Sequence, residues 1–269
     1  MDTKALSQFA CLSHPQRLAI FRLLVRRYPD EVPAGEIVGV LGLKPSTGSV
    51  YLSALTAAGL IGKHRIGTSL LYRANLSAVQ ELVGFLVEDC CQGRSTLCPT
   101  PSPVKADHLN VVFLCTGNSA RSLMAESLLR DARVPGMKVW SAGTEPRRTP
   151  HPMAIKILEK QGHATKSLRC KPLEEFGEAL PRVDILLTVC DRAANLEGPR
   201  WPGNPLMAHW GVPDPVQAEG DKKTRKAAFQ RTYDGLRHRI DTFARLPLAG
   251  MDRASLQKAL DDIAAMERP

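Results

Sequence analysis

The sequence predicts a two-domain α/β chain, a winged helix-turn-helix followed by a four-stranded parallel sheet flanked by helices. Three observations lead there. Residues 1–95 read as short amphipathic helices that end in a hairpin. Residues 109–246 alternate apolar strand runs with helical patterns. Between them STLCPTPSPVKADH is rich in Pro, Ser and Thr and poor in apolar residues, which marks a linker over 96–108. Residues 247–269 read as a C-terminal helical tail.

In the first half, ALSQFACLSH and PQRLAIFRLLVRRY carry apolar residues at helical spacing, and PAGEIVGVLGL and PSTGSVYLSALTAAGLI repeat the pattern. Pro33 and Pro45 suit first helical turns, where a missing N–H costs nothing, and Gly42 and Gly59 suit helix ends. IGKHRIGTSLLYRANL then gives two short strands around Gly67-Thr68, and LSAVQELVGFLVED a further helix.

In the second half the strand runs are LNVVFLC, MKVWSAGT, VDILLTVC and PLMAHW. They alternate with helices over ARSLMAESLLRDA, HPMAIKILEKQG and KKTRKAAFQRTYDGLRHRIDTFARL. Such alternation predicts parallel strands joined by crossover helices, with ligands at the carboxyl ends of the strands. The tail, DRASLQKALDDIAAMERP, is a short helix that is either solvated or a packing element.

A chain of 269 residues has room for two cores. No apolar run approaches the ~20 residues of a membrane helix, and the N-terminus lacks the apolar core of a signal peptide, so a cytoplasmic protein with no membrane partner is expected. Seven unevenly spread cysteines suit reactive or metal-binding thiols better than a disulfide framework. The net charge of +9 favours DNA or anionic substrates. It divides as +3 over residues 1–108 and +6 beyond, so charge alone does not locate a DNA-binding half.

The stretch with the most chemistry is VVFLCTGNSARSLMAE, in which a β-type run feeds Cys115, five residues, Arg121 and a helical pattern. Backbone N–H groups along Thr116, Gly117, Asn118, Ser119, Ala120 and Arg121 would converge on an anion where the helix begins. Arg121 can fork two donors onto two of its oxygens. The same field is expected to bring the Cys115 thiol well below the pKa of about 8.5 of a free cysteine. Ser122 is placed to hydrogen-bond the sulfur and Asn118 to brace the loop. Nucleophilic chemistry on phosphate or arsenate is the expectation.

Residues from about 109 to 246 resemble the low-molecular-weight protein tyrosine phosphatase fold, which arsenate reductases share. The resemblance implies that Asp214, in HWGVPDPV, is a general acid, although an Asp-Pro pair also simply opens turns. It also implies that Cys190, in ILLTVCDRAANLEGPRWPGNP, is the resolving cysteine that separates reductases from phosphatases; a plain core cysteine at a strand end is the alternative. Relatives that pass the disulfide to thioredoxin carry a further cysteine several residues on, and Asp191 to Pro199 contains none, with Gly198 near the equivalent position. A small thiol such as glutathione or mycothiol, or direct attack by thioredoxin, is the simpler reductant, and Cys170 is a possible stand-in. No tightly bound cofactor is implied.

Residues 4–95 resemble the arsenic- and metal-responsive repressors called ArsR/SmtB. That resemblance implies a recognition helix from Ser46 to Ala58, with Ser46, Thr47, Ser49 and Tyr51 near operator DNA and Lys63, His64 and Arg65 on the wing beside phosphates. Gly48, Tyr51 and Ser53 stand where relatives carry a bulkier apolar residue, a histidine and a lysine. The helix before Cys90 forms part of a dimer interface in the family. Cys90, Cys91 and Cys98, in DCCQGRSTLC, suit trigonal thiolate binding of arsenite. Together the halves imply an arsenic-responsive repressor fused to an arsenate reductase, a homodimer with arsenite as effector. A repressor fused to a phosphatase, and a pure regulator with an inactive oxyanion-binding domain, are the alternatives.

Overall fold

The apolar runs of the second half become one sheet in the computed structural model, which describes residues 3–92, 108–175, 182–196, 201, 203–248 and 250–266. The chain divides into two units, Met1–Pro101 and Ser102–Pro269. The expected linker over 96–108 lies, but for His108, outside the described residues.

In the first unit, α1 (Thr3–Leu12) and α2 (Pro15–Arg26) precede a two-residue strand β1 (Val32–Pro33), α3 (Ala34–Val40) and α4 (Pro45–Ala57). A hairpin of β2 (Ile61–Ile66) and β3 (Ser69–Ala74) follows, then α5 (Leu76–Phe85), which continues as a π-helical turn over Leu86–Cys90. Pro45 opens α4 as expected, whereas Pro33 is the N-cap of α3 and pairs through β1 with Leu71. The hairpin is therefore a three-stranded antiparallel sheet in the order β1-β3-β2. A two-residue strand has no periodicity to read, which is why sequence alone missed it.

Gly42 and Gly59 end α3 and α4 with φ of +61° and +70°. Gly48 is buried where α4 crosses α3, and a Cβ there would lie 2.4 Å from Val38 Cγ2. Ile20, Leu23, Leu24, Ile37, Leu52, Leu55 and Leu60 fill the core between α2, α3, α4 and the sheet.

The second unit is built on four parallel strands in the order β5-β4-β6-β7. They are β4 (Leu109–Cys115), β5 (Met137–Gly143), β6 (Ile185–Thr188) and β7 (Leu206–His209). Both faces are covered, so the central strands read as continuous apolar runs. The helices are α6 (Arg121–Asp131), α7 (Pro152–Lys160), α8 (Asp191–Asn195), α9 (Lys222–Ala244) and α10 (Arg253–Ala264). Val111, Val112, Phe113, Ile185 and Leu187 are fully enclosed, with Trp210 against Phe113 and Phe243.

The tail, expected as either a solvated or a packing element, packs onto this core through α10. α10 buries Leu256, Leu260 and Ile263, accepts the Trp210 indole N–H on Leu260 O at 3.1 Å, and receives Arg239 Nη2 on Ala264 O. Burial of each large apolar side chain contributes roughly 1.5–3 kcal/mol. Among the described residues, no helix is long and apolar enough to cross a membrane.

Candidate functional site

Cys115 is the last residue of β4, and Arg121 the first of α6, so the five residues between them form the loop at the carboxyl end of the central strand pair. The carbonyls of Cys115, Thr116, Gly117 and Ser119 accept the amides of Thr144, Glu145, Arg147 and His151 at 2.8–3.1 Å. A trans peptide plane sets the next N–H opposite each carbonyl, so the amides of Thr116, Gly117, Asn118 and Ala120 turn away from that segment. Asn118 N donates to Cys115 Sγ at 3.1 Å. Asn118 holds φ of +43°, a left-handed conformation that asparagine tolerates well. α6 starts with no side-chain cap, which leaves its first amides for an anion.

Cys115 Sγ lies 2.9 Å from Ser122 Oγ. The bracing expected of Asn118 is present: its Nδ2 donates to Ser122 Oγ and to Ser141 Oγ, each at 2.8 Å, and its Oδ1 accepts Lys171 N at 2.7 Å. Behind it, Glu126 accepts the Ser141 hydroxyl and the Lys171 ammonium, the latter at 2.9 Å, with all three side chains buried. Sequence reading missed Ser141, Gly143, Glu126 and Lys171. A signal existed: SAG ends the strand adjacent to β4, and adjacent carboxyl ends of parallel strands share a site.

Arg121 Nη2 pairs with Asp214 Oδ2 at 2.8 Å, and its Nη1 donates to Val212 O at 3.2 Å. Asp214 opens a turn, as an Asp-Pro pair does, and also lines the cleft. Its Oδ1 caps the 3₁₀ turn Pro215–Gln217 by accepting Val216 N, while Oδ2 is the oxygen held by Arg121. Cys190 is buried just beyond β6, 3.4 Å from Thr116 Oγ1, and lines the same cleft of about 640 Å³ as Cys115, Arg121 and Asp214. Glu145 and Arg192 pair at the edge of this cleft, and Arg147 also lines it. No residue lining it is aromatic, among the described residues. Cys170 is half-buried and does not line the cleft, and Gly198 lies outside the described residues.

The expectation of a depressed Cys115 pKa is corrected here. Burial pushes the thiol up, and the neighbouring Cys190 pushes it the same way; the Ser122 hydrogen bonds and the Arg121 charge pull it back without overcoming burial. The physical reason is burial: Cys115 ends a core strand and is 3% exposed, so its charged form loses more from desolvation than Ser122 and Arg121 return. The thiolate is the form that alkylates, so iodoacetamide modification of Cys115 is expected to rise only above the ordinary cysteine range. Asp214→Asn releases Arg121 and removes a negative charge, and Cys190→Ser removes the competing thiol, so both shift the alkylation midpoint to lower pH. Arg121→Met shifts it higher. Rates measured by mass spectrometry across pH check all three directions.

In the first unit, Ser46 and Ser49 are exposed on α4 and Thr47 is half-buried. Tyr51 is turned onto His14, with ring centroids 4.8 Å apart and its hydroxyl 3.4 Å from Nε2, rather than standing free as a groove contact would. Lys63, His64 and Arg65 are exposed along β2, with His64 Nδ1 3.1 Å from Glu31 Oε2. Cys90 is exposed and Cys91 half-buried at the end of the π-helical turn, and Cys98 lies outside the described residues.

Comparison with known proteins places the second unit. An arsenate reductase of Halalkalibacterium halodurans is 36% identical over 134 residues, which is 50% of this chain and 94% of that protein. One from Shouchella clausii is 37% identical and one from Bacillus subtilis 34% identical, with the same coverage. Residues 110–260 match the low molecular weight phosphotyrosine protein phosphatases, a span that holds Cys115, Arg121, Cys190 and Asp214. With more than half of its length in that match, the chain belongs to the low molecular weight phosphotyrosine protein phosphatase family.

Proposed function

We propose that the chain is a thiol-dependent arsenate reductase joined to an arsenic-responsive repressor. The observation that carries the first part is Cys190, a second thiol buried in the cleft of Cys115. Ester hydrolysis by a cysteine, an arginine and an acid has no use for it. Among the described residues the cleft has no aromatic wall, which also suits a small inorganic oxyanion better than an aryl ester, and the named relatives are arsenate reductases.

Arsenate enters among the loop amides, and its basic oxygen takes the proton of the Cys115 thiol, so a thiol that burial keeps protonated still delivers its sulfur. Arg121 exchanges Asp214 for two arsenate oxygens. The sulfur bonds arsenic, and Asp214, which takes a proton from solvent once Arg121 has turned to the arsenate, passes it to the oxygen that leaves as water. Cys190 thiolate then attacks the Cys115 sulfur. The S–As bond breaks with its electron pair going to arsenic, As(V) becomes As(III) and departs as arsenite, and the two cysteines are left as a disulfide. An external thiol, glutathione, mycothiol or thioredoxin, supplies the two electrons that reset it.

The repressor reading draws support from the order of elements in the first unit, two helices across a turn and then a hairpin, which suits a winged helix-turn-helix. α4 would enter the major groove through Ser46, Thr47 and Ser49, and Lys63 and Arg65 would meet phosphates. Leu6, Val83 and Leu86 are exposed on α1, α5 and the turn after it, a surface that a second copy would cover. Arsenite held by Cys90, Cys91 and Cys98 would shift that interface and release DNA.

The test is arsenite release from arsenate by the purified protein, with thioredoxin or glutathione supplied in turn. Turnover with at least one reductant is expected. Aryl phosphate hydrolysis without arsenite would make the unit a phosphatase, and silence in both assays would leave a regulator with an idle enzyme fold.

A further inference from the structure

His209 ends β7 with its ring fully enclosed, and the chemistry proposed above leaves it unused. Its Nδ1 lies 2.8 Å from Thr188 Oγ1, and its Nε2 lies 3.2 Å from Asp191 Oδ1. Thr188 is two residues before Cys190 and Asp191 is the residue after it. One neutral tautomer serves both contacts, with the threonine hydroxyl donating to Nδ1 and Nε2–H donating to the carboxylate.

The backbone is shaped to admit the ring. A Cβ on Gly211 would lie 2.5 Å from His209 Nε2 and 3.3 Å from Asp191 Oδ1, and Arg239 Nη1 holds Gly211 O at 3.1 Å. The elbow itself is extended, with Cys190 at φ −148° and ψ 148°, and it leads into a helix of only five residues. Short elements of this kind rely on side-chain bonds for their position. A sulfur that must attack in line with an S–As bond tolerates little displacement, since a misplacement of ~1 Å can cost about 10²-fold.

We infer that His209 is a positioning residue for the resolving step, bracketing Cys190 through Thr188 and Asp191 so that its sulfur is aimed at Cys115. The reaction in which it acts rests on the reductase reading. The geometry it enforces does not, because any leaving group on the Cys115 sulfur calls for the same approach by Cys190.

The experiment uses the full chain without added reductant and follows loss of the Cys115 and Cys190 thiols to the disulfide after arsenate is added. A second arm uses hydrogen peroxide. There the Cys115 thiolate is oxidised to the sulfenic acid with release of hydroxide, and Cys190 displaces the sulfenic oxygen as water. Hydrolysis of an aryl phosphate, which needs no second thiol, is measured alongside.

His209→Asn keeps a group at the Nδ1 position for Thr188 but cannot reach Asp191, and His209→Gln keeps the donor to Asp191. His209→Asn is expected to slow disulfide formation about tenfold or more in both arms, as losing a hydrogen bond to a carboxylate does, with aryl phosphate hydrolysis unchanged. His209→Gln restores most of the rate. If His209→Asn does not fold, Asp191→Ala, which removes a half-exposed partner, must show the same slowing. Disulfide rates equal to wild type in these variants, or a parallel loss of hydrolysis in His209→Asn, would overturn the inference. Absence of disulfide with arsenate in the wild type would overturn only the reductase reading, and the peroxide arm would still rank the variants.

Discussion

Cys190→Ser is expected to bind oxyanion and hydrolyse an aryl phosphate at close to the wild-type rate while releasing almost no arsenite from arsenate. The loop amides, Arg121 and Asp214 keep their own contacts through the change, since the Cys190 side chain reaches the loop by a hydrogen-bond contact with Thr116 Oγ1 and by its charge beside Cys115. What disappears is the intramolecular nucleophile. An oriented neighbouring group reaches an effective molarity of about 10⁵ M in favourable cases, against a roughly millimolar external thiol, so a fall of at least ~10³-fold in arsenite release is expected. Cys115→Ser abolishes both reactions. Single-turnover arsenite release and aryl phosphate hydrolysis, measured on the same preparations, check the split. Equal loss of the two activities in Cys190→Ser would mean that Cys190 supports the loop rather than resolving the adduct.

Gly143→Ala is expected to lower both activities together, by about 10²-fold. A Cβ at this position would lie 2.6 Å from Thr116 O and 3.0 Å from Asn118 N. Neither can retreat cheaply. Thr116 O is already held by Glu145 N at 2.9 Å, and Asn118 is tied to Ser122, Ser141 and Lys171. The loop must therefore shift as a unit, and its amides leave the positions that cradle the oxyanion. The readouts are the two rates and the inhibition constant of inorganic phosphate, which is expected to weaken in step with them. An unchanged phosphate constant would show that the loop absorbs the methyl group elsewhere.

The two variants probe parts of the site that were unequally legible in the sequence. The Cys115 loop is contiguous, so residue types, spacing and the switch from strand to helix pattern specify its geometry locally; Ser122 and Asn118 stand where they were expected. The four strand runs and three of the helices of the second half emerge within a few residues of their sequence patterns, because each alternates cleanly with the next. Asp214 and Cys190 came from family resemblance. No local pattern distinguishes an Asp-Pro that opens a turn from one that also reaches an arginine, and Asp214 does both.

The chain's own order of residues thus determined a two-part architecture, the sheet strands, the anion-binding loop and the presence of two thiols that could exchange. Tertiary structure alone decided how those parts act on each other. The Arg121–Asp214 pair spans 93 positions, and burial beside Cys190, far along the chain, reverses the expected direction of the Cys115 shift. The approach of Gly143 to Thr116, the buried Glu126–Lys171 pair behind the loop, the His209 bracket around Cys190 and the docking of α10 under Trp210 all join distant segments. The physical reason is common to them. A hydrogen bond, a charge pair or a close van der Waals approach depends on distances of a few ångströms, and sequence separation carries no information about those until the strands are ordered and the helices are packed on them.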